Sequence, residues 1–117
     1  MGMVTKTKTT TKQQPCIDAC SNCVQACYVC FQACLNEPNL VDRKNCVSSL
    51  VECAMMCQMS VALMSMNGQF AYENCGMCAK VCDSCAKECG MFSDNHCRMC
   101  ADICRICADE CRKMTSV

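Results

Sequence analysis

The sequence predicts an all-α fold, an antiparallel up-down-up-down four-helix bundle with a cysteine-lined core. Three observations carry that expectation. Cysteine recurs in steps of three and four residues through four separate stretches, which is the a/d seam of a heptad and not the period of two of a strand. The stretches are of similar length, about 20 residues each, and are joined by short connections, which favours antiparallel neighbours. Helix breakers are confined, with glycine only at positions 2, 68, 76 and 90 and proline only at 15 and 38, so the element interiors oppose helix almost nowhere.

Residues 1–12, rich in Thr and Lys, offer almost nothing to bury and are expected to form a disordered tail. The remainder, 13–117, is expected to be one bundle domain, since a chain of 117 residues makes a single core of ordinary size. A first helix is expected near 14–36. It closes at Glu37-Pro38-Asn39, because the residue before proline is pushed out of the helical region. A second is expected near 41–66, ended by Asn67-Gly68, and a third near 69–90, ended by Gly90, a residue type favoured just past helix ends. Ser93 and Asp94 are N-cap candidates for a fourth helix near 94–114.

The seam can be read residue by residue. Helix one carries Cys16, Cys20, Cys23, Cys27, Cys30 and Cys34; helix two Cys46, Cys53 and Cys57; helix three Cys75, Cys78, Cys82, Cys85 and Cys89; helix four Cys97, Cys100, Cys104, Cys107 and Cys111. All 19 thiols therefore face the inside. The other heptad positions agree in phase. Ile17, Val24 and Phe31 flank the first seam, Ala19, Ala26 and Ala33 its other side, while Asp18, Gln25, Gln32, Lys80, Lys87, Asp102 and Asp109 fall outward. Helix two is apolar on both sides, with Cys46, Leu50, Cys53, Cys57, Ser60 and Met64 inward and Val51, Met55, Met59 and Ala62 on the far side. A helix apolar all round is expected to be buried twice, so its far face is a candidate subunit interface.

Composition then removes whole classes of function. Lys plus Arg and Asp plus Glu balance at 11 each, without the basic surplus of a nucleic-acid binder. The leading MGMVTKTKTTTKQQP has no apolar core of an export signal, and no apolar run is expected to reach the roughly 18 residues that cross a bilayer. A cytoplasmic, reducing location is expected, where disulfides are rare, and 19 thiols cannot all pair internally. Neighbours three or four apart on a helix are also poorly placed for an S–S bond. Catalysis is not expected, because one histidine, His96, cannot serve as general base to so many thiols and no phosphate-binding glycine motif is present.

Metal binding accounts for the pattern. Side chains at i and i+3 or i+4 stand one above the other on a helix. Cys-x3-Cys occurs eight times and Cys-x2-Cys six times, forming ladders of sulfur in which adjacent thiols converge on one ion and shared thiolates bridge successive ions. Soft thiolate ligands select Cu(I), zinc or iron–sulfur clusters. Cu(I) is satisfied by the two sulfurs a single helix offers, whereas zinc needs a tetrahedron and iron–sulfur clusters four ligands, often on loops. The 11 methionines add thioether sulfur, though methionine also fills core gaps. With full bridging the capacity is on the order of one Cu(I) per thiol, and about half that without, more than a chaperone or sensor needs. A zinc or mixed soft-metal thiolate buffer of metallothionein type is the alternative, and an iron–sulfur carrier a third.

From about residue 13 onward, the repeated Cys-x3-Cys and Cys-x2-Cys ladder on four helices resembles the four-helix-bundle copper storage proteins, in particular the cytosolic bacterial branch. The resemblance implies a tetramer of bundles, each holding many Cu(I) ions on the 19 cysteines, with a copper chaperone or exporter as a possible exchange partner. It also implies that His and Met near an open end help copper in. Met64 and Met114 fall at the end of the bundle with Cys16, Cys75 and Cys111, while His96 and Met91 fall at the other with Cys34, Cys46, Cys89 and Cys97. Met64 and His96 join the cysteines as candidate ligands. A lone histidine beside a helix start is ordinarily a solvated surface residue, yet a neutral imidazole at a thiol-lined mouth is also a Cu(I) ligand. The choice of end is open.

Overall fold

A computed structural model describes residues 12–115; the tail expected at 1–12 lies, but for Lys12, outside the described residues. Four helices run in the chain order α1 (Gln14–Leu35), α2 (Lys44–Ser65), α3 (Ala71–Cys89) and α4 (Asn95–Thr115), and the described residues contain no strand. Each helix packs against its sequence neighbours, and α4 returns to pack against α1. The diagonal helices keep their backbones apart and meet only through side chains across the core, as Cys57 of α2 does with Cys107 of α4. This is the antiparallel bundle that the cysteine period predicts.

Local chemistry explains most of the boundaries. Pro15 sits in the first turn of α1, where the missing N–H has no intrahelical partner to lose. The helix stops at Leu35, two residues short of Glu37, whose helical conformation Pro38 disfavours. Where α2 was expected from residue 41, Leu40–Arg43 forms a single 3₁₀ turn and the α-helix starts at Lys44. At the far end of α2, Asn67 takes the left-handed conformation at φ 51°. Its N–H bonds to the Met64 carbonyl at 3.1 Å and that of Gly68 to the Leu63 carbonyl at 2.7 Å, a Schellman closure with asparagine in the left-handed position. Gly90, in contrast, keeps right-handed φ of −64°, so its use at the α3 end is not conformational. Asp94 does act at the start of α4, its carbonyl accepting from the Arg98 N–H at 3.0 Å.

The interior is mostly sulfur. Every one of the 19 cysteines is buried and unpaired by disulfide. Hydrocarbon is thin: Leu50 is the largest fully buried side chain, with Met64 next, and Ile17 and Met114 are buried near the Cys16 end. Ala79 and Ala86 on α3 and Ala101 and Ala108 on α4 are also buried, and these small side chains seven apart let the two helices approach closely. Cysteine packs as a small hydrophobe, so the core excludes water without large aliphatic groups. Ser60 occupies an inward position of α2 that the other helices would give to cysteine, and its buried hydroxyl accepts from Asn74 Nδ2 at 2.7 Å.

The segment Leu40–Ser65 is long and apolar enough to cross a membrane by length and composition, against the expectation that no run reaches that length. The reason is that Cys and Met weigh as apolar side chains, and here the inward Cys46, Leu50, Cys53, Cys57 and Met64 are buried within the bundle. Such a helix in a protein core passes the same test as a spanning one. Its far side carries Met55 and Met59 at 60% and 52% exposure, an apolar face left open in the single chain.

Candidate metal centre

Antiparallel packing aligns the four seams into one column of thiols along the bundle axis. At one end Cys16 and Cys20 of α1 lie 3.7 Å each from Cys111 of α4, with Met64 and Met114 buried. In the middle Cys107 meets Cys20 at 3.5 Å and Cys57 at 3.8 Å, and Cys57 meets Cys78 and Cys82 at 3.7 Å. One step further, Cys23 meets Cys104 at 3.7 Å and Cys53 at 3.8 Å, and Cys53 meets Cys82 at 3.6 Å. At the far end Cys97 lies 3.9 Å from Cys30 and 3.8 Å from Cys34, and Cys46 meets Cys89 at 3.5 Å.

Cross-helix sulfur contacts are thus as short as those within a helix, where Cys23–Cys27, Cys30–Cys34, Cys78–Cys82 and Cys100–Cys104 each measure 3.9 Å. The two-sulfur sites read from single helices are in fact faces of larger groups. Ligand atoms within 4.8 Å of one another include Cys20/Cys57/Cys78/Cys107, Cys23/Cys53/Cys57/Cys82, Cys23/Cys27/Cys53/Cys104, Cys30/Cys34/His96/Cys97 and Cys16/Cys20/Cys111. Zinc–sulfur bonds of about 2.3 Å in a tetrahedron give sulfur–sulfur edges of about 3.8 Å, so these groups would also admit zinc one at a time. Their membership shows that they are not separate sites. Cys20, Cys23, Cys53 and Cys57 each belong to at least two groups, so filling adjacent groups requires bridging sulfur. Bridging thiolate occurs in zinc clusters as well as cuprous ones, so the geometry gives a continuous cluster of soft ions and leaves the metal to the softness and number of the donors.

Protonation in this column is collective. Hydrogen bonds from Cys107, and after it from Cys20, Cys23 and Cys53, together with burial, hold the Cys57 thiol far above the ordinary thiol range. Cys23, bonded first by Cys104, is drawn the other way, and Cys78, bonded first by Cys107, likewise. A thiolate among thiols is stabilised by the protons its neighbours keep, so only some sulfurs can ionise before a cation arrives. At the two ends, the Cys111 hydrogen bond pushes Cys75 up to about 12, and burial with the nearby Cys34 pushes Cys97 up to about 12. Metal binding must therefore displace protons.

His96 is not a solvated surface residue. It is half-buried, its Nδ1 lies 3.5 Å, 3.6 Å and 4.0 Å from the sulfurs of Cys97, Cys30 and Cys34, and its Nε2 meets Glu37 Oε1 at 3.1 Å. A carboxylate on the outer nitrogen fixes the ring with its inner nitrogen toward the thiols, as outer partners do for metal-bound histidine. Met91, placed with it by sequence, is 64% exposed. Sequence reasoning missed Arg43, which is buried at this end with Nη1 3.4 Å from Cys97 and 3.8 Å from Cys34. The signal was present: Arg43 precedes Cys46 by three, the step of the seam itself.

Comparison with known proteins agrees with this geometry. The copper storage protein family model matches residues 9–116. A Bacillus subtilis uncharacterized cysteine-rich protein, YhjQ, is 38% identical over 76 residues, 65% of this chain and 70% of its own. Apo copper storage protein 3 from Bacillus subtilis superposes with a TM-score of 0.82 at 37% identity, covering 88% of this chain and 98% of its own. The copper storage protein Ccsp from Streptomyces lividans, loaded with 10 copper equivalents, superposes with a TM-score of 0.86 at 32% identity, covering 90% and 84%.

Proposed function

This chain belongs to the copper storage protein family, and from that premise we propose that it stores and sequesters Cu(I), many ions per chain, in the thiol column of its bundle. The observation that carries this reading is the sharing of Cys20, Cys23, Cys53 and Cys57 between adjacent groups, which suits a continuous run of bridged ions and not a set of separate sites. A Cu(I)-bound relative, 37% identical with a TM-score of 0.86, and the copper-loaded Streptomyces protein support it. A zinc or mixed soft-metal buffer is not favoured.

On this reading all 19 cysteines are ligands, with Met64 and His96 at the two ends of the column, and residues 13–117 form the metal-binding unit. The role is binding, not catalysis. The chain works in the cytoplasm, as a relative described as a cytosolic copper storage protein does, without nucleic acid or membrane, and exchanges copper with a chaperone or exporter. Homotetramer assembly over the open Met55 and Met59 face of α2 covers what a single bundle leaves exposed.

The test is an anaerobic titration of fully reduced protein with Cu(I) against a competing chelator, with zinc in parallel. Tight saturation between about half and one Cu(I) per thiol, with far fewer zinc ions bound and more weakly, is expected. Saturation by either metal at one ion per four thiols would overturn the proposal.

A further inference from the structure

Arg43 brings a full positive charge into the end of the bundle, and metal ligation alone gives it no work. The residue is 3% exposed, and its donors are divided among different partners. Nε donates to Asn39 Oδ1 at 2.8 Å and Nη2 to Asp94 Oδ2 at 2.5 Å, while the guanidinium lies 4.4 Å over the Phe92 ring. Nη1 alone turns inward, to the sulfurs of Cys97 and Cys34 at 3.4 Å and 3.8 Å. The two thiols it reaches belong to the group that includes His96.

Charge bookkeeping makes this arrangement chemically specific. Cu(I) binding by two thiols releases two protons to solvent and leaves a cuprous dithiolate of net charge −1. Inside a core of low dielectric an uncompensated charge is costly. A guanidinium N–H on a thiolate sulfur is a charge-assisted hydrogen bond, roughly twice as strong as a neutral one. Partners of this kind around metal ligands tune affinity.

We propose that Arg43 is the resident counter-charge for cuprous thiolate at this end of the column, so that Cu(I) held by Cys30, Cys34, His96 and Cys97 is bound more tightly than a neutral residue at position 43 would allow. Asp94 competes with the thiolates for the same guanidinium. Removing Arg43 therefore weakens this group, and removing the Asp94 charge strengthens it. A merely structural role for the Arg43–Asp94 pair would weaken it in both cases. The inference rests on the copper storage reading.

The experiment loads full-length wild type, R43M, R43K and D94N with Cu(I) to about half the thiol number and compares copper anomalous occupancy in crystals at the Cys30/Cys34/Cys97 group with that at the central Cys20/Cys57/Cys78/Cys107 group of the same molecule. The central group is the internal reference. R43M is expected to shift the relative affinity of the end group down by about 10–100-fold, R43K by less, and D94N in the opposite direction. An unchanged ratio in R43M, or a fall in D94N, overturns the inference while leaving copper storage intact. If R43M does not fold, the sign of the D94N effect decides alone. Wild type that takes up no Cu(I) at all overturns the storage reading itself and the counter-charge with it.

Discussion

Replacing Cys57 by serine strikes the column at one of its shared points. The Cys57 sulfur lies 3.7 Å from Cys78, 3.7 Å from Cys82 and 3.8 Å from Cys107, and it belongs to two four-sulfur groups. Serine keeps a hydrogen-bonding atom but loses the bulk and softness of sulfur. In the apo-protein the change places a harder polar group in a site that is 0% exposed, a cost of about 1–3 kcal/mol. At about 4 °C per kcal/mol for a domain of this size, the apo melting temperature should fall measurably. The larger effect is on copper. Hydroxyl is a poor Cu(I) ligand, so one substitution removes a bridge from both groups, and saturation in an anaerobic Cu(I) titration should drop by up to two ions per chain. Met91→Leu, which removes an exposed sulfur, should drop it by none. A Cys57→Ser protein that melts lower yet binds the full complement of Cu(I) would refute the argument that shared thiolates carry the load.

Three further outcomes follow from the same structure. Cu(I) loading should raise the melting temperature steeply, since each site at about 1,000-fold excess of free ion over its dissociation constant adds about 4 kcal/mol by mass action; calorimetry showing an unchanged transition would place copper outside the core. Leu50→Ala, at the largest fully buried side chain, should cost the apo-protein about 2–5 kcal/mol in denaturant unfolding, and the copper-saturated mutant should stay below copper-saturated wild type by a similar amount, since mass action adds to both alike. Alkali should destabilise the apo-protein: Cys75 and Cys97 are raised from 9.0 to about 12 on folding, so the stability they contribute is complete below pH 9 and disappears as pH climbs toward 12. Acid acts on the loaded protein instead, where protons compete for thiolate and copper is released; melting curves and chelator-transfer assays across pH check both limbs.

The bundle was legible because the cysteines themselves mark its inner face. A period of three and four is a geometric statement about one side of a helix, and 19 residues repeat it without contradiction, so the direction of every thiol could be read before any packing was known. What lay across the bundle was not legible. That Cys23 meets both Cys53 and Cys104, or Cys57 both Cys82 and Cys107, depends on the axial register of neighbouring helices, which the repeat of one helix does not encode. His96 looked like a surface residue because it precedes the seam by one position, and only the approach of α1 brings Cys30 and Cys34 to its ring. Arg43 lay inside the second helix expected near 41–66, three before Cys46, but a lone cation is ordinarily assigned to a solvated face. The 3₁₀ turn at Leu40–Arg43 continues the seam by one more step and turns a cation inward.

Copper K-edge X-ray absorption of the Cu(I)-saturated protein tests the sharing of sulfur between ions most directly. Bridged thiolates predict a first coordination shell dominated by sulfur together with a strong short copper–copper scattering path. A shell rich in nitrogen or oxygen, or sulfur coordination with no copper–copper path at saturation, would contradict it.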